Sequence, residues 1–313
     1  MGTSVPTRAA HGVTFHHFIG EGFPYIQGAI TGDDLVRLID YLGRDSVLNA
    51  EQWIHCARNG TLRPGDVCLT FDDALRCQFE VALPVLQAMD LTAIWFVYTS
   101  PLEGVPERLE LYRQFRNVAF DNIDEFYEAF FAQARRTDGA AADVATATFD
   151  PSTYLTAYPF YSDADRAFRF VRDEVLGSTR YNAVTDAMLA TAGWSLEAAD
   201  DIWLSRSQVA DLATAGHVIG LHSHTHPTSL ANLPRAKQQE EYVRNRDVLA
   251  SIVGTPAETM AHPCNSYDAT TLELLRDLGI DVGFRSDLAT GSSSLELPRL
   301  DHATLVSEMV RQG

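Results

Sequence analysis

Short apolar runs alternating with amphipathic stretches limit this 313-residue chain to few architectures. DVCLTF (66–71), LTAIWFVYT, HVIGL, ETMAHP and IDVGFR are rich in β-branched and aromatic residues and read as strands. GVTFHHFIG, from Gly12, precedes them, and LELPRL closes the series. The segments between read as helices. In ITGDDLVRLIDYLG, residues Leu35, Leu38, Ile39 and Leu42 fall at i, i+3, i+4 and i+7, and Thr31 with Asp34 forms a capping-box pattern with Asp in place of Glu. Further helices are expected over about 78–89, in SRSQVADLATAG up to Gly216, in PRAKQQEEYVRNRDVLASIVG up to Gly254, and from about Ala269 to Gly279. Such alternation implies an α/β fold with a parallel sheet, open or closed into a barrel. In either form the chemistry gathers at the carboxyl ends of the strands, and both TFDD and HSHTH directly follow a strand.

Residues 101–201 break the pattern. They read as mostly helical, with an aromatic part in FRNVAFDNIDEFYEAFF and a small-residue part in DGAAADVATAT. So long a stretch is no simple connection, and it is expected to be a helical insertion whose aromatics pack one another.

Composition narrows the function. A hydrophobic fraction of 46% with 21% charged residues describes an ordinary soluble globular chain. The formal charge of −18 argues against nucleic acid, because phosphate binding needs clustered Lys and Arg. No apolar run is long enough for a membrane span, and the first dozen residues lack a signal-like apolar core, so the expected location is the cytoplasm. Cys56, Cys68, Cys77 and Cys264 show no CxxC pairing and read as reduced thiols filling small buried spaces.

LHSHTHP, residues 221–227, sets His222, His224 and His226 at every second position. On a strand all three share a face, whereas on a helix only His222 and His226 do. Pro227 disfavours helix at His226. Two His and one carboxylate form a catalytic metal set with room for water and substrate, and a second carboxylate can serve as general base. TFDD supplies two. Neighbouring residues on a strand point to opposite sides, however, so Asp72 and Asp73 reach one site only if the chain turns there. Taken alone, TFDD favours a solvated loop pair or a helix N-cap with a first-turn acid.

Four segments in order resemble the polysaccharide deacetylase (NodB-homology, carbohydrate esterase family 4) group. LTFDDA (69–74) resembles its TFDDG motif, AGHVIGLHSHTHP (215–227) its HxxxHP motif, MAHPCNSYDATTLELLRDLG (260–279) a variant third motif, and LPRLDH (297–302) the LPRID ending of some bacterial members. The resemblance covers roughly 12–100 and 203–301. It implies a distorted (β/α) barrel, one catalytic domain over 1–313 with a large helical insertion at about 101–201.

It also implies roles. Asp73, His222 and His226 would bind a divalent metal, Zn²⁺ first, with Co²⁺, Ni²⁺ or Mn²⁺ as alternatives. Asp72 would be the general base, and Ser223 would support the ligands. The backbone N–H of Cys264 would hold the oxyanion, and His224 falls at a non-ligand position. This chain also departs from the pattern. Ala261 replaces the arginine that orients the base, making Arg299 the candidate substitute. The usual acid histidine is absent, and His302 is the nearest candidate in chain order. Ala74 stands for Gly, Cys264 for an aromatic and Asn265 for Gly. His16 and His262 are expected at the rim of the site or behind it.

The expected activity is metal-dependent hydrolysis of an N-acetyl group from an amino sugar, nucleotide- or lipid-linked, during surface-polysaccharide synthesis. An N-deformylase or cyclic-amide hydrolase would use the same machinery. A catalytically silent sugar-binding protein is the reading of another class, weakened by the presence of both Asp72 and Asp73.

Overall fold

The computed structural model describes residues 8–156, 161–194, 202–289 and 291–312, leaving aside the side chains of 138 and 140–147. The chain forms two compact units, one of residues 1–105 and 201–313, the other of 106–200.

The first unit contains seven strands: β1 (His11–Phe15), β2 (Val67–Asp72), β3 (Ile94–Val97), β4 (Val218–Leu221), β5 (Thr259–Ala261), β6 (Val282–Phe284) and β7 (Arg299–Asp301). All pair in parallel, in the order β6-β5-β4-β3-β2-β1-β7. The two ends of the sheet are joined by the segment before β7. Leu297 bridges Phe284 in parallel, its N–H donates to Gly283 O at 2.8 Å, and two residues later Arg299 pairs with Gly12 of β1. One run of chain thus borders both edges, giving a nearly closed barrel ringed by helices. The seam needs a glycine, because a Cβ on Gly283 would sit 2.7 Å from Leu295 O.

The connections are as the periodicity indicates. In α1 (Gly32–Leu42), Leu35, Leu38, Ile39 and Leu42 are buried, and Thr31 and Asp34 form a reciprocal capping box. The stretch over 78–89 is less regular, with a wide π-helical turn at Gln78–Ala82 leading into α3 (Leu83–Ala88). Gly216 and Gly254 follow α8 (Arg206–Thr214) and α9 (Arg235–Val253) with left-handed φ of 85° and 87°. α2 (Ala50–Arg58) buries Trp53 and Ile54 against Cys68, Ile94, Phe96 and Phe284. On the other face of the strands Phe15, Phe71 and Trp95 stack, with centroids 5.3 and 4.4 Å apart. α10 (Ala269–Asp277) and α11 (His302–Gln312) complete this unit.

The second unit is helical: α4 (Arg108–Val118), α5 (Ile123–Thr148), α6 (Asp163–Phe170) and α7 (Gly177–Ala192). Its core is largely aromatic, with Tyr112, Phe115, Phe126, Tyr127, Phe130, Phe168 and Tyr181 mutually packed. These rings pack one another, as expected of the insertion. No helix among the described residues is long and apolar enough to cross a membrane. Among the described residues no disulfide links the four cysteines. Cys68 and Cys77 fill buried space as expected, but Cys264 is exposed because its turn leaves the sheet there.

Two buried histidines make the barrel acid-sensitive. His217 accepts the Ala93 N–H at Nδ1 (3.0 Å), and burial pushes its pKa down to about 4. Burial likewise pushes His262 down to about 3. Unfolded, both protonate near 6.5, so the unfolded state binds more protons and stability falls as pH drops below that value. Urea unfolding at pH 6.5, 5.5 and 4.5 should show His217→Asn with a flatter decline than wild type, by up to about 1.4 kcal/mol per pH unit.

Candidate active site

Asp72 is the last residue of β2 and shares its inward face with Cys68 and Thr70. The next two residues leave the strand in left-handed conformation, Asp73 at φ 76° and Ala74 at φ 55°. This turn brings both carboxylates to one place. His222 Nε2 lies 3.9 Å from Asp72 Oδ2 and 3.5 Å from Asp73 Oδ1. The turn is secured by Gln78, fully buried, whose Nε2 donates to the carbonyls of Asp72 (2.6 Å) and His16 (2.8 Å).

His222 follows β4 and is aimed by its surroundings. Its Nδ1–H donates to Ala261 O at 2.9 Å, which leaves the Nε2 lone pair facing the carboxylates. Its backbone N–H donates to Asn245 Oδ1 at 3.0 Å. The chain then turns through Ser223 (φ 62°), and Ser223 Oγ accepts the His226 N–H. This turn makes His226 converge with His222: its Nε2 is also 3.5 Å from Asp73 Oδ1. Ligand atoms of Asp73, His222 and His226 all lie within 4.8 Å of one another. A tetrahedral ion with bonds of about 2.0–2.1 Å requires ligand–ligand edges of roughly 3.4 Å, so the three residues fit a small divalent cation.

His224 points elsewhere. Its Nδ1 meets Thr99 Oγ1 at 2.9 Å and its Nε2 is 3.7 Å from Glu103. Its carbonyl accepts the N–H groups of Thr99 and Ser100, and its own N–H donates to Glu241. Glu241 also accepts from Thr225 N, and Asn245 Nδ2 donates to Val97 O and Thr99 Oγ1. One helix, α9, therefore braces the ends of β3 and β4 through two side chains four residues apart. Neither Gln78, Glu241 nor Asn245 was singled out from sequence. Asn245 stands 23 residues from His222, and only the i, i+4 spacing of Glu241 and Asn245 on a largely polar helix gives a local sign of them.

Arg299 reaches the site from the closing strand. It is 1% exposed and grips Asp72 with both terminal nitrogens, at 2.7 and 2.8 Å, while Nε donates to Arg285 O. Gly12 makes room for its stem, since a Cβ there would lie 3.0 Å from Arg299 Cγ. Burial pushes the Asp72 carboxyl up, but Arg299 and His222 outweigh it and hold the group below the usual carboxylate range. Asp73 is held well below it, burial again being outweighed, here by His226, His222 and His16. The same carboxylates raise His222 against the effect of burial.

His302 is not brought to the carboxylates. It is buried, stacks on Phe15 at 5.5 Å, and its two ring nitrogens face Thr14 O and Gly28 O. The reason is local: His302 begins α11 just past the strand, which turns its ring to the outer, aromatic face. His16 is the histidine that arrives instead, with Nε2 4.0 Å from both Asp72 Oδ2 and Asp73 Oδ2 and a side chain 32% exposed. Cys264 lies in the turn after β5 with φ 49°. His262, just before it, is buried against Tyr267 and donates from Nε2 to Leu295 O. A separate cavity of about 730 Å³, among His55, His217 and Thr259 at the opposite strand ends, shares no residue with the cluster.

Against known proteins, the sequence profile of the family described as Polysaccharide deacetylase matches residues 174–283. The Streptococcus pyogenes deacetylase PplD, solved with acetate, superposes with a TM-score of 0.55 at 15% identity over 94% of this chain and 92% of its own. The fold is that of the polysaccharide deacetylases. IcaB from Ammonifex degensii gives 0.53 at 16% identity, covering 94% and 90%. The BpsB deacetylase domain from Bordetella bronchiseptica gives 0.52 at 15%, covering 95% and 98%. No curated protein sequence matches the chain.

The brace predicts an effect without ligand contact. Asn245→Leu should weaken Zn²⁺ binding to the apo protein by about 10–100-fold in calorimetric titration while the circular dichroism stays native. Wild-type affinity would mean that His222 is held without it. At Ala74, a left-handed position costs a non-glycine residue about 1–2 kcal/mol, so Ala74→Gly should match or exceed wild-type stability in chemical denaturation, and Ala74→Val should lose it.

Proposed function

We propose that this protein is a divalent-metal-dependent N-deacetylase acting on an amino sugar of a saccharide or glycan precursor in surface-polysaccharide biosynthesis. The observation carrying this reading is a three-residue cation cluster beside a buried carboxylate gripped by arginine. Asp73, His222 and His226 would hold the ion, with Zn²⁺ suiting two imidazoles and one carboxylate in tetrahedral array. Such an ion, when bound, polarises the acyl carbonyl and makes water acidic enough to attack near neutral pH.

The chain's own residues supply the proton traffic. Asp72, kept ionised by Arg299, accepts the proton of the attacking water. Arg299 also fixes the direction of the carboxylate, the task for which the resemblance leaves no arginine at Ala261. The Cys264 N–H, in its left-handed turn, is the proposed donor to the oxyanion. His16, at the open side of both carboxylates, is the proposed donor of the proton that the departing amine needs, in place of His302. The polysaccharide deacetylase profile match, and the proteins of Bacillus anthracis and Bacillus cereus described as polysaccharide deacetylases among the structural neighbours, support the substrate class.

The test is acyl release from N-acetylated amino-sugar oligomers by apo protein reloaded with Zn²⁺, Co²⁺, Ni²⁺ or Mn²⁺. Turnover should require the ion, and turnover indifferent to a chelator would overturn the reading. Asp73→Ala, His222→Ala and His226→Ala should each lose the metal, whereas His224→Ala keeps it. Asp72→Asn and His16→Asn should retain metal and lose kcat by about 10²–10⁴-fold. Arg299→Met removes the largest opposition to burial and leaves only the histidines, so the Asp72 pKa rises and the acid limb of the pH–rate profile moves to higher pH. An unmoved limb would remove Arg299 from that role.

A further inference from the structure

The helical unit contains a buried arginine, Arg116, with no carboxylate partner among the described residues. Arg116, on α4, is 7% exposed, and its Nε is fully buried without a hydrogen-bond partner. Among the described residues no carboxylate lies within ion-pair distance of its guanidinium, which stands 5.9 Å over the Phe168 ring. Arg169, on α6, has a buried Nε in the same condition, and its guanidinium lies 4.0 Å from the Tyr161 ring.

The nearby charges are otherwise engaged. Arg113 is held by Glu110 at 2.7 Å and Arg172 by Asp173 at 2.7 Å. Asp165, the buried carboxylate of α6, accepts hydrogen bonds from the Tyr127 hydroxyl and from Ser162. Burial first, then Arg169 and Arg113, push the Arg116 pKa down to about 10, so the neighbours add positive charge to the site rather than relieve it. A shortage of acids does not explain this, since the chain has 42 Asp and Glu against 24 Lys and Arg. Buried guanidinium groups are ordinarily paired, because an uncompensated charge is costly away from water.

We propose that Arg116 and Arg169 together bind an external oxyanion, a phosphate or carboxylate group, between α4 and α6. The planar guanidinium fork matches two oxygens of such a group, and the rings of Phe168 and Tyr161 keep the two arginines in place for it. It shares no residue with the candidate cation cluster and does not depend on the activity proposed for that cluster.

The test uses the full chain, with calorimetric unfolding at constant ionic strength as chloride is replaced by inorganic phosphate or by acetate. At least one oxyanion should raise the midpoint saturably over chloride. A response to phosphate alone assigns a phosphate-bearing ligand, and a response to acetate alone a carboxylate. Arg169→Gln, at a half-buried position, should weaken the apparent affinity at least about tenfold. Arg116→Met should abolish the response and unfold in chloride at or above the wild-type midpoint, since it removes an unpaired buried charge. If Arg116→Met fails to fold, Arg169→Gln decides alone. The absence of a saturable shift in wild type overturns the proposal, and so does an equal shift in Arg169→Gln, which would place the anion elsewhere.

Discussion

The ion pair between Arg299 and Asp72 is the contact around which the barrel and its site are organised. It is buried and bidentate and reaches across β1, joining the second strand to the last. Breaking such a pair on one side costs about 3–5 kcal/mol, because the remaining charge stays buried. The rest of the interior accommodates it: Gly12 yields space for the arginine stem, Thr70 lies within reach of its terminal nitrogen, and the Phe96 ring lies 5.4 Å from the guanidinium.

Around this pair the backbone is strained where the residues of the candidate site stand. Eight non-glycine residues among those described have left-handed φ, and six of them lie in the turns after β2, β4 and β5: Asp73, Ala74, Ser223, His226, Cys264 and Asn265. Each costs of order 1–3 kcal/mol, and the hydrogen bonds of Gln78, Asn245 and Glu241 hold the turns against it. Strain and brace have one purpose. A strand offers one side chain per face at every second residue, and adjacent Asp72 and Asp73 can converge only where that alternation is broken.

The legible part of the fold was what periodicity encodes. Strands, helices, the Thr31–Asp34 cap and the glycine stops are local patterns, and each has a local physical cause. The histidine spacing was legible only to a point. An extended LHSHTHP would put all three imidazoles on one face, but left-handed Ser223 and His226 turn the segment so that His224 goes to Thr99 and Glu241 while its neighbours face Asp73. Tertiary partners had no such signal. Arg299 could be suspected from its place in LPRL, but chain order alone also suggested His302, whose ring the start of α11 carries to the outer face. His16 looked like a rim residue until the parallel pairing of β1 with β2 set it above both carboxylates.

The seam also sets an order of assembly. On the ribosome, Asp73, His222 and His226 emerge well before residue 299, so a nascent chain possesses the proposed metal ligands before it possesses the counter-ion of Asp72. Until the seventh strand docks beside the first, only the histidines oppose the desolvation of Asp72, and the carboxylate has more reason to stay hydrated or protonated. On the function proposed above, chemical competence would be tied to the last strand of the barrel, and a partly made molecule holding the proposed ligands would still lack the group that keeps its proposed base ionised.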